Sequence, residues 1–205
     1  MCQEVELLSG EISENGDIMN LLKPSFFCRR PDLVALDLLG KVILNAKKEV
    51  AGIIIEVEPY FGPEDPASRA RKGGDLARTM QERPCTALVY GVHKQWLLNI
   101  VAHEEGKLGA ILIRGIIPVD QELKPLGGPI FGPGRVTKYL GVDKSHHRAF
   151  LCSCDGELQL RDGLVVDINC IARSPRVGVR EDLPEPFNFK ISCIKEMMRR
   201  LMEDG

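Results

Sequence analysis

The stretch Ile53-Ile54-Ile55-Glu56-Val57-Glu58-Pro59-Tyr60-Phe61-Gly62-Pro63-Glu64-Asp65 sets three β-branched residues ahead of two carboxylates and closes on a Pro/Gly turn. Such a run predicts a strand over Gly52 to Tyr60, entered from a charged turn at Lys47, Lys48 and Glu49. Residues two apart on a strand share a face, so Glu56 and Glu58 point the same way. A carboxylate pair emerging from a buried strand is costly unless it is solvated, paired or chemically employed, because desolvation disfavours the charge. The spacing leaves two readings open: a working pair, or carboxylates that face solvent or pair with an arginine such as Arg114.

Outward from this strand the pattern is mixed. Pro31-Asp32 starts a helix whose apolar face is Leu33, Ala35, Leu36 and Leu39, and Gly40 stops it. Strands are expected at Lys41 to Leu44, Thr86 to Tyr90, Gln95 to Val101 and Ala110 to Ile117, with short late ones at Leu158 to Leu160, Val165 to Ile168 and Val177 to Val179. A Gly/Pro-rich stretch precedes a short helix at Val136 to Leu140, and a last helix runs from Ile191 to Met202 with Ile191, Ile194, Met198 and Leu201 on one face. Strands fill the centre without regular strand-helix alternation, which predicts an α+β domain around an antiparallel sheet. Residues 1–20 read as an acidic arm and 21–205 as one domain. Within that domain, Gly62 to Pro84 reads as a long surface connection of the kind that often carries function.

The formal charge of -2, from 27 basic and 29 acidic residues, argues at first against a polyanionic partner. The charges are segregated. Glu4, Glu6, Glu11, Glu14 and Asp17 stand in the first 17 residues without one Lys or Arg, whereas residues 60–148 carry 13 basic against 9 acidic side chains. The middle of the chain is therefore basic. With 44% hydrophobic residues but no apolar run of spanning length and no secretory pattern, neither a membrane span nor export is expected, and the chain is read as cytoplasmic. Seven cysteines and four histidines show no zinc-type spacing, so no metal is expected and the cysteines are read as reduced and mostly buried.

The segment Glu56 to Ser68 resembles the E-x-E-A-Y-x-G-x-x-D-x-A-x stretch of the mammalian-type alkyladenine (3-methyladenine) DNA glycosylases. Leu38-Leu39-Gly40-Lys41, Leu112-Ile113-Arg114-Gly115 to Pro118, Gly132-Pro133-Gly134-Arg135 and Arg176-Val177-Gly178-Val179 are similar to further motifs of that family, in the same order. The resemblance spans roughly residues 21 to 189. It implies that family's fold, a single domain around a curved antiparallel sheet with flanking helices. The implied activity is hydrolysis of the N-glycosidic bond of a damaged purine flipped out of duplex DNA, by a monofunctional enzyme that needs no cofactor, acts as a monomer and works wherever the DNA is. Alkylated, etheno and deaminated purines are the implied substrates, and the product is an abasic site for base excision repair. The alternative is a protein of the same fold that binds lesions or duplex without efficient excision.

By the same resemblance Glu58 is the general base for an attacking water, and Arg114 with the backbone carbonyl of Val177 helps hold that water. Tyr60 stacks on the flipped base. Asn99 disfavours the exocyclic amino group of guanine, the alternative being a strand-end Asn that bonds backbone. Arg71, Lys72, Arg78, Arg83 and Arg135 are phosphate-binding candidates, the alternative being an ordinary charged surface.

The departures from the family pattern lie where the base would be read. Arg69 stands in place of a stacking His, and a guanidinium there repels cationic purines and leaves neutral ones, such as hypoxanthine or ethenoadenine, relatively favoured. Tyr90 stands between the spacings of two family tyrosines, one stacking on the base and one wedging into the duplex. Val92 or His93 is the alternative occupant. Pro186-Phe187-Asn188-Phe189 replaces a P-W-R-F.

Overall fold

The isoleucine run lies at the heart of the sheet. In the computed structural model, which describes residues 20–203, β1 (Val42–Asn45) and β2 (Val50–Tyr60) form an antiparallel hairpin. From Gly52 to Pro59 every residue of β2 is buried. Its long partner is β5 (Ala110–Val119), itself buried at all positions but Arg114. The register between them shifts on both sides of Glu56. Such a bulge re-aims side chains and frees an edge, and here β9 (Asn188–Ile191) pairs with Glu56 and Val57 beyond the end of β1.

The rest follows from that centre. The described residues form a nine-stranded sheet in which β3 (Ala87–Val92) and β4 (Gln95–Val101) extend from β5, and β7 (Leu158–Arg161) extends from β1. β6 (Ile130–Phe131) pairs with β5, and β8 (Ile171–Ser174) with β9. Every pairing is antiparallel and the sheet curls, so the domain is the expected α+β type. α1 (Pro31–Leu38) and α3 (Pro133–Leu140) pack on the face that buries Ile55, Val57, Ala87, Val89, Leu98, Ile100, Ile111 and Ile113. The opposite face carries a smaller cluster of Leu88, Val101 and Ala110 with Ala70 and Met80, bordered by Tyr60 and Tyr90.

Several expectations need correction. α1 buries Val34, Ala35 and Leu38 while Leu33 is exposed, so its apolar face is rotated from the one read in the sequence. Gly40 does end this region. Its φ of +87° is in the left-handed range, and a Cβ there would meet the Leu164 carbonyl oxygen at 2.5 Å. Val165 to Ile168 forms no strand, because Leu164 bonds Gly40 rather than a ladder and a 3-10 turn begins at Ile168. Val177 to Val179 is a turn around Gly178, whose φ is +77°. Ile191 belongs to β9, and α4 (Ile194–Glu203) starts three residues later. The long connection is partly helical, with a 3-10 turn at Arg69–Lys72 followed by α2 (Gly74–Thr79).

The cysteines depart furthest from expectation. Cys85 and Cys152 form a disulfide. Leu151 N–H donates to the Cys85 carbonyl and Thr86 bridges Phe150, so two antiparallel backbones bring the Cα atoms to 6.0 Å, within bonding range. Of the free described cysteines, Cys28 and Cys154 are exposed and Cys170 and Cys193 are half-buried. The acidic arm lies, but for Asn20, outside the described residues. No helix among the described residues is long and apolar enough to cross a membrane.

Candidate active site

Antiparallel register sets one row of side chains across the sheet: Leu88 opposite Asn99, Asn99 opposite Leu112, and Leu112 opposite Glu58. Residues opposite one another share a face, so Glu58, Asn99 and, two places along from Leu112, Arg114 stand on the side of the smaller cluster. Tyr60 follows Glu58 on the same face.

Glu58 is fully buried and held from several sides. Its Oε1 accepts the Val177 N–H at 2.8 Å and the Asn188 amide at 3.0 Å, and lies 3.2 Å from Arg114 Nε. Its Oε2 accepts the Tyr60 hydroxyl at 2.8 Å. Glu56 shares two of these donors, since its Oε1 accepts Arg114 Nε at 3.1 Å and Asn188 Nδ2 at 2.9 Å. Two adjacent carboxylates would repel, and the shared guanidinium and amide make the pair tolerable away from water. The two carboxylates converge and pair with Arg114, as the ion-pair alternative of the spacing has it. Gly115 makes this approach feasible, since a Cβ there would meet Glu56 Cβ at 2.9 Å.

Behind Tyr60 sits a second buried array. Arg176 donates to both oxygens of Asp65 at 2.7 Å, to Asp182 from Nε at 2.8 Å, and to the Pro59 carbonyl at 2.9 Å. Its guanidinium carbon lies 4.6 Å from the centre of the Tyr60 ring. Asp65 also accepts the N–H groups of Phe61 and Ala67, which pins the turn that follows β2. Burial pushes the Asp65 carboxyl up, but the bonds from Arg176 and the backbone more than reverse this and hold it below the usual range. The Tyr60 hydroxyl is pushed well above the usual phenol value, by burial first and then by the charge and hydrogen bond of Glu58. Tyr60 therefore stays a neutral donor.

Tyr60, Arg114 and Val177 all reach Glu58, Val177 through its N–H. Asn99 is buried and donates to the Leu88 carbonyl at 3.1 Å, the backbone-bonding alternative. Tyr90 lies within β3 opposite Leu97, with the Arg69 guanidinium 5.3 Å from its ring centre. It is a wall of the face rather than a projecting tip. The tip of that hairpin is His93 and Lys94, both at positive φ.

Four of the five basic candidates stand on the connection between Gly62 and Pro84, and Arg135 stands on α3. Arg71, Lys72 and Arg78 are exposed on the connection that covers the smaller cluster, where Arg71 lies 3.8 Å from Glu181 and Arg78 3.8 Å from Asp75. Arg83 packs 3.3 Å from the Phe150 ring centre, beside the disulfide, and Arg135 is exposed on the first turn of α3. Asn188, Arg176, Asp65 and Asp182 are the residues that sequence reasoning did not assign. A polar residue between Phe187 and Phe189 was the one signal for Asn188. Among the described residues no cluster of three or more His, Cys, Asp or Glu is placed to hold a metal.

Comparison with known proteins gives the family. Residues 25–194 match the family model described as methylpurine-DNA glycosylase. A protein of Aeropyrum pernix is 43% identical over 176 residues, covering 84% of this chain and 90% of that protein. One of Myxococcus xanthus is 35% identical, covering 78% and 83%, and one of Nitrosococcus oceani is 33% identical, covering 88% and 98%. All three bear the name "Putative 3-methyladenine DNA glycosylase". A family model spanning most of the chain, and relatives matched over nearly their whole length, place the enzyme: this chain belongs to the methylpurine-DNA glycosylase family.

Proposed function

We propose that the chain is a monofunctional glycosylase that removes damaged purines, alkylated, etheno or deaminated, from nucleotides flipped out of duplex DNA, and leaves an abasic site. The observation that carries this reading is the Glu58 carboxylate, buried at the end of β2, bonded by Val177, Asn188 and Tyr60 and faced by Arg114. As the C1′–N9 bond lengthens, the sugar gains oxocarbenium character, and a fixed carboxylate stabilises that positive charge. Glu58 then takes a proton from the attacking water, whose oxygen bonds C1′, while both electrons of the broken bond leave with the purine. Arg114 and the Val177 N–H fix the carboxylate, so little reorganisation is required at the moment of reaction.

Tyr60 offers a flat ring for stacking on the base, and Tyr90 borders the same small cluster. Arg71, Lys72, Arg78, Arg83 and Arg135 serve as phosphate contacts, so binding weakens as salt rises. The chain acts as a monomer wherever the DNA is. A single-turnover assay on duplexes holding one 3-methyladenine, hypoxanthine or ethenoadenine tests the reading. Wild type releases base and Glu58→Gln is slower by about a thousandfold; equal rates, or no release by either protein, would refute it.

A further inference from the structure

Arg69 differs from Arg71, Arg78, Arg114 and Arg176. Arg176 is neutralised by Asp65 and Asp182, Arg114 by Glu56 and Glu58, and Arg71 and Arg78 each stand near a carboxylate. Arg69 is half-buried, its guanidinium 5.3 Å from the Tyr90 ring centre, and no carboxylate among the described residues stands within salt-bridge distance of it. Its neighbour Ala70 belongs to the cluster that Tyr60 and Tyr90 both border. A base seated against those rings, within reach of Glu58, thus lies beside a cation that no carboxylate among the described residues neutralises.

We infer that Arg69 sets the class of purine the site releases, favouring neutral bases over cationic ones by steadying the negative charge that gathers on a neutral leaving group. This rests on the glycosylase reading above. A purine methylated at N3 or N7 is positively charged in the nucleotide and departs neutral, so Arg69 repels it before reaction and gains nothing as it leaves. A neutral purine such as hypoxanthine departs with both electrons of the C1′–N9 bond. It is an anion until it takes up a proton, the count being closed by the one that Glu58 removed from water. The cation is drawn to that anion more strongly in the transition state than in the ground state, which is the condition for catalysis. Screening inside the site is weaker than in bulk water, so one charge at this range is worth about tenfold or more in rate.

The test compares single-turnover release of hypoxanthine and of 7-methylguanine from otherwise identical duplexes by wild type, Arg69→Gln and Arg69→Lys. The expected result is that Arg69→Gln lowers the hypoxanthine to 7-methylguanine rate ratio about tenfold while Arg69→Lys, which keeps the charge, restores most of it. A general loss of folding or DNA affinity lowers both rates together and leaves the ratio unchanged, and that result would overturn the proposal while the glycosylase reading stood. Release of neither base by wild type would overturn the proposal, and the glycosylase reading would fall with it only if 3-methyladenine and ethenoadenine were retained as well.

Discussion

The Tyr60 hydroxyl donates a 2.8 Å hydrogen bond to Oε2 of Glu58, two positions earlier on the same face of β2. One residue thus presents a ring for stacking and fixes the carboxylate it stands beside. Tyr60→Phe separates the two roles, because the ring stays and the donor goes. Bonds to charged groups contribute about 1.5–3 kcal/mol, and part of that is lost orientation at Glu58. Single-turnover excision should fall about tenfold in Tyr60→Phe with duplex affinity unchanged, whereas Tyr60→Ala should weaken both. Rate and affinity measured side by side on one lesion duplex check this.

Asn188 bridges Glu56 and Glu58 with a single amide nitrogen, at 2.9 and 3.0 Å. Asn188→Ala leaves Arg114 as the donor the two carboxylates share, and weakening the satisfaction of buried acceptors costs about 1–3 kcal/mol. The loss should be smaller in a Glu56→Gln background, where the repulsion between carboxylates is gone. Denaturant unfolding of the two single variants and the double variant gives the coupling. Strictly additive losses would show that Asn188 acts on packing rather than on the charge pair.

How far these contacts could be read beforehand depends on their range in sequence. Glu56 and Glu58 were legible as a pair because strand parity is local, Arg114 because it breaks an apolar run, and Tyr60 through its place in the family motif. The partners Asp65 and Arg176 lie 111 residues apart, and nothing in their spacing announces a bidentate pair. The Val177-Gly178-Val179 triplet has the composition of a strand, yet Gly178 takes a left-handed φ and Val177 turns its N–H to Glu58. Tertiary demand overrides propensity there. Strand β9 was hidden because Ile191 also fits the apolar period of α4. The disulfide was invisible for a similar reason: Cys85 and Cys152, separated by 67 positions, meet only through the pairing of Thr86 with Phe150.

The Asp65–Arg176 pair carries a pH dependence whose sign follows from its environment. Asp65 titrates below the ordinary carboxylate value when folded, despite the burial that acts to raise it. Its contribution is therefore complete above the unfolded value, near about 3.9, and is lost as pH falls through the lower folded value, because the unfolded chain binds the proton first. Asp65→Asn should lower stability by about 3–5 kcal/mol at neutral pH, where it strips Arg176 of its bidentate partner. Below about pH 4 the difference from wild type should shrink. Thermal unfolding from pH 3 to pH 7 for both proteins measures this, and a gap that widened toward acid would contradict the assignment.

The Cys85–Cys152 bond holds residues 148–151 along β3, where the Arg148 N–H donates to the Ala87 carbonyl and the Ala87 N–H donates to the Ala149 carbonyl. That same segment reaches the basic connection, since Arg148 bonds Asp75 of α2 at 2.8 Å and His147 lies 3.1 Å from it. Closing a loop of this separation removes chain entropy from the unfolded state worth about 4 kcal/mol in the loop-entropy model. At about 2–4 °C per kcal/mol for a chain of this size, reductant should lower Tm by roughly 10 °C. The Cys85→Ser, Cys152→Ser double variant should start low and show no further response. Because the bond anchors the partners of Asp75 and not Glu58, excision in single turnover at moderate temperature should fall less than stability does. The salt dependence of duplex binding should change instead, through α2 and Arg78. A variant with unchanged Tm, or with base release abolished at a temperature where it remains folded, would show that the bond does something other than staple this edge.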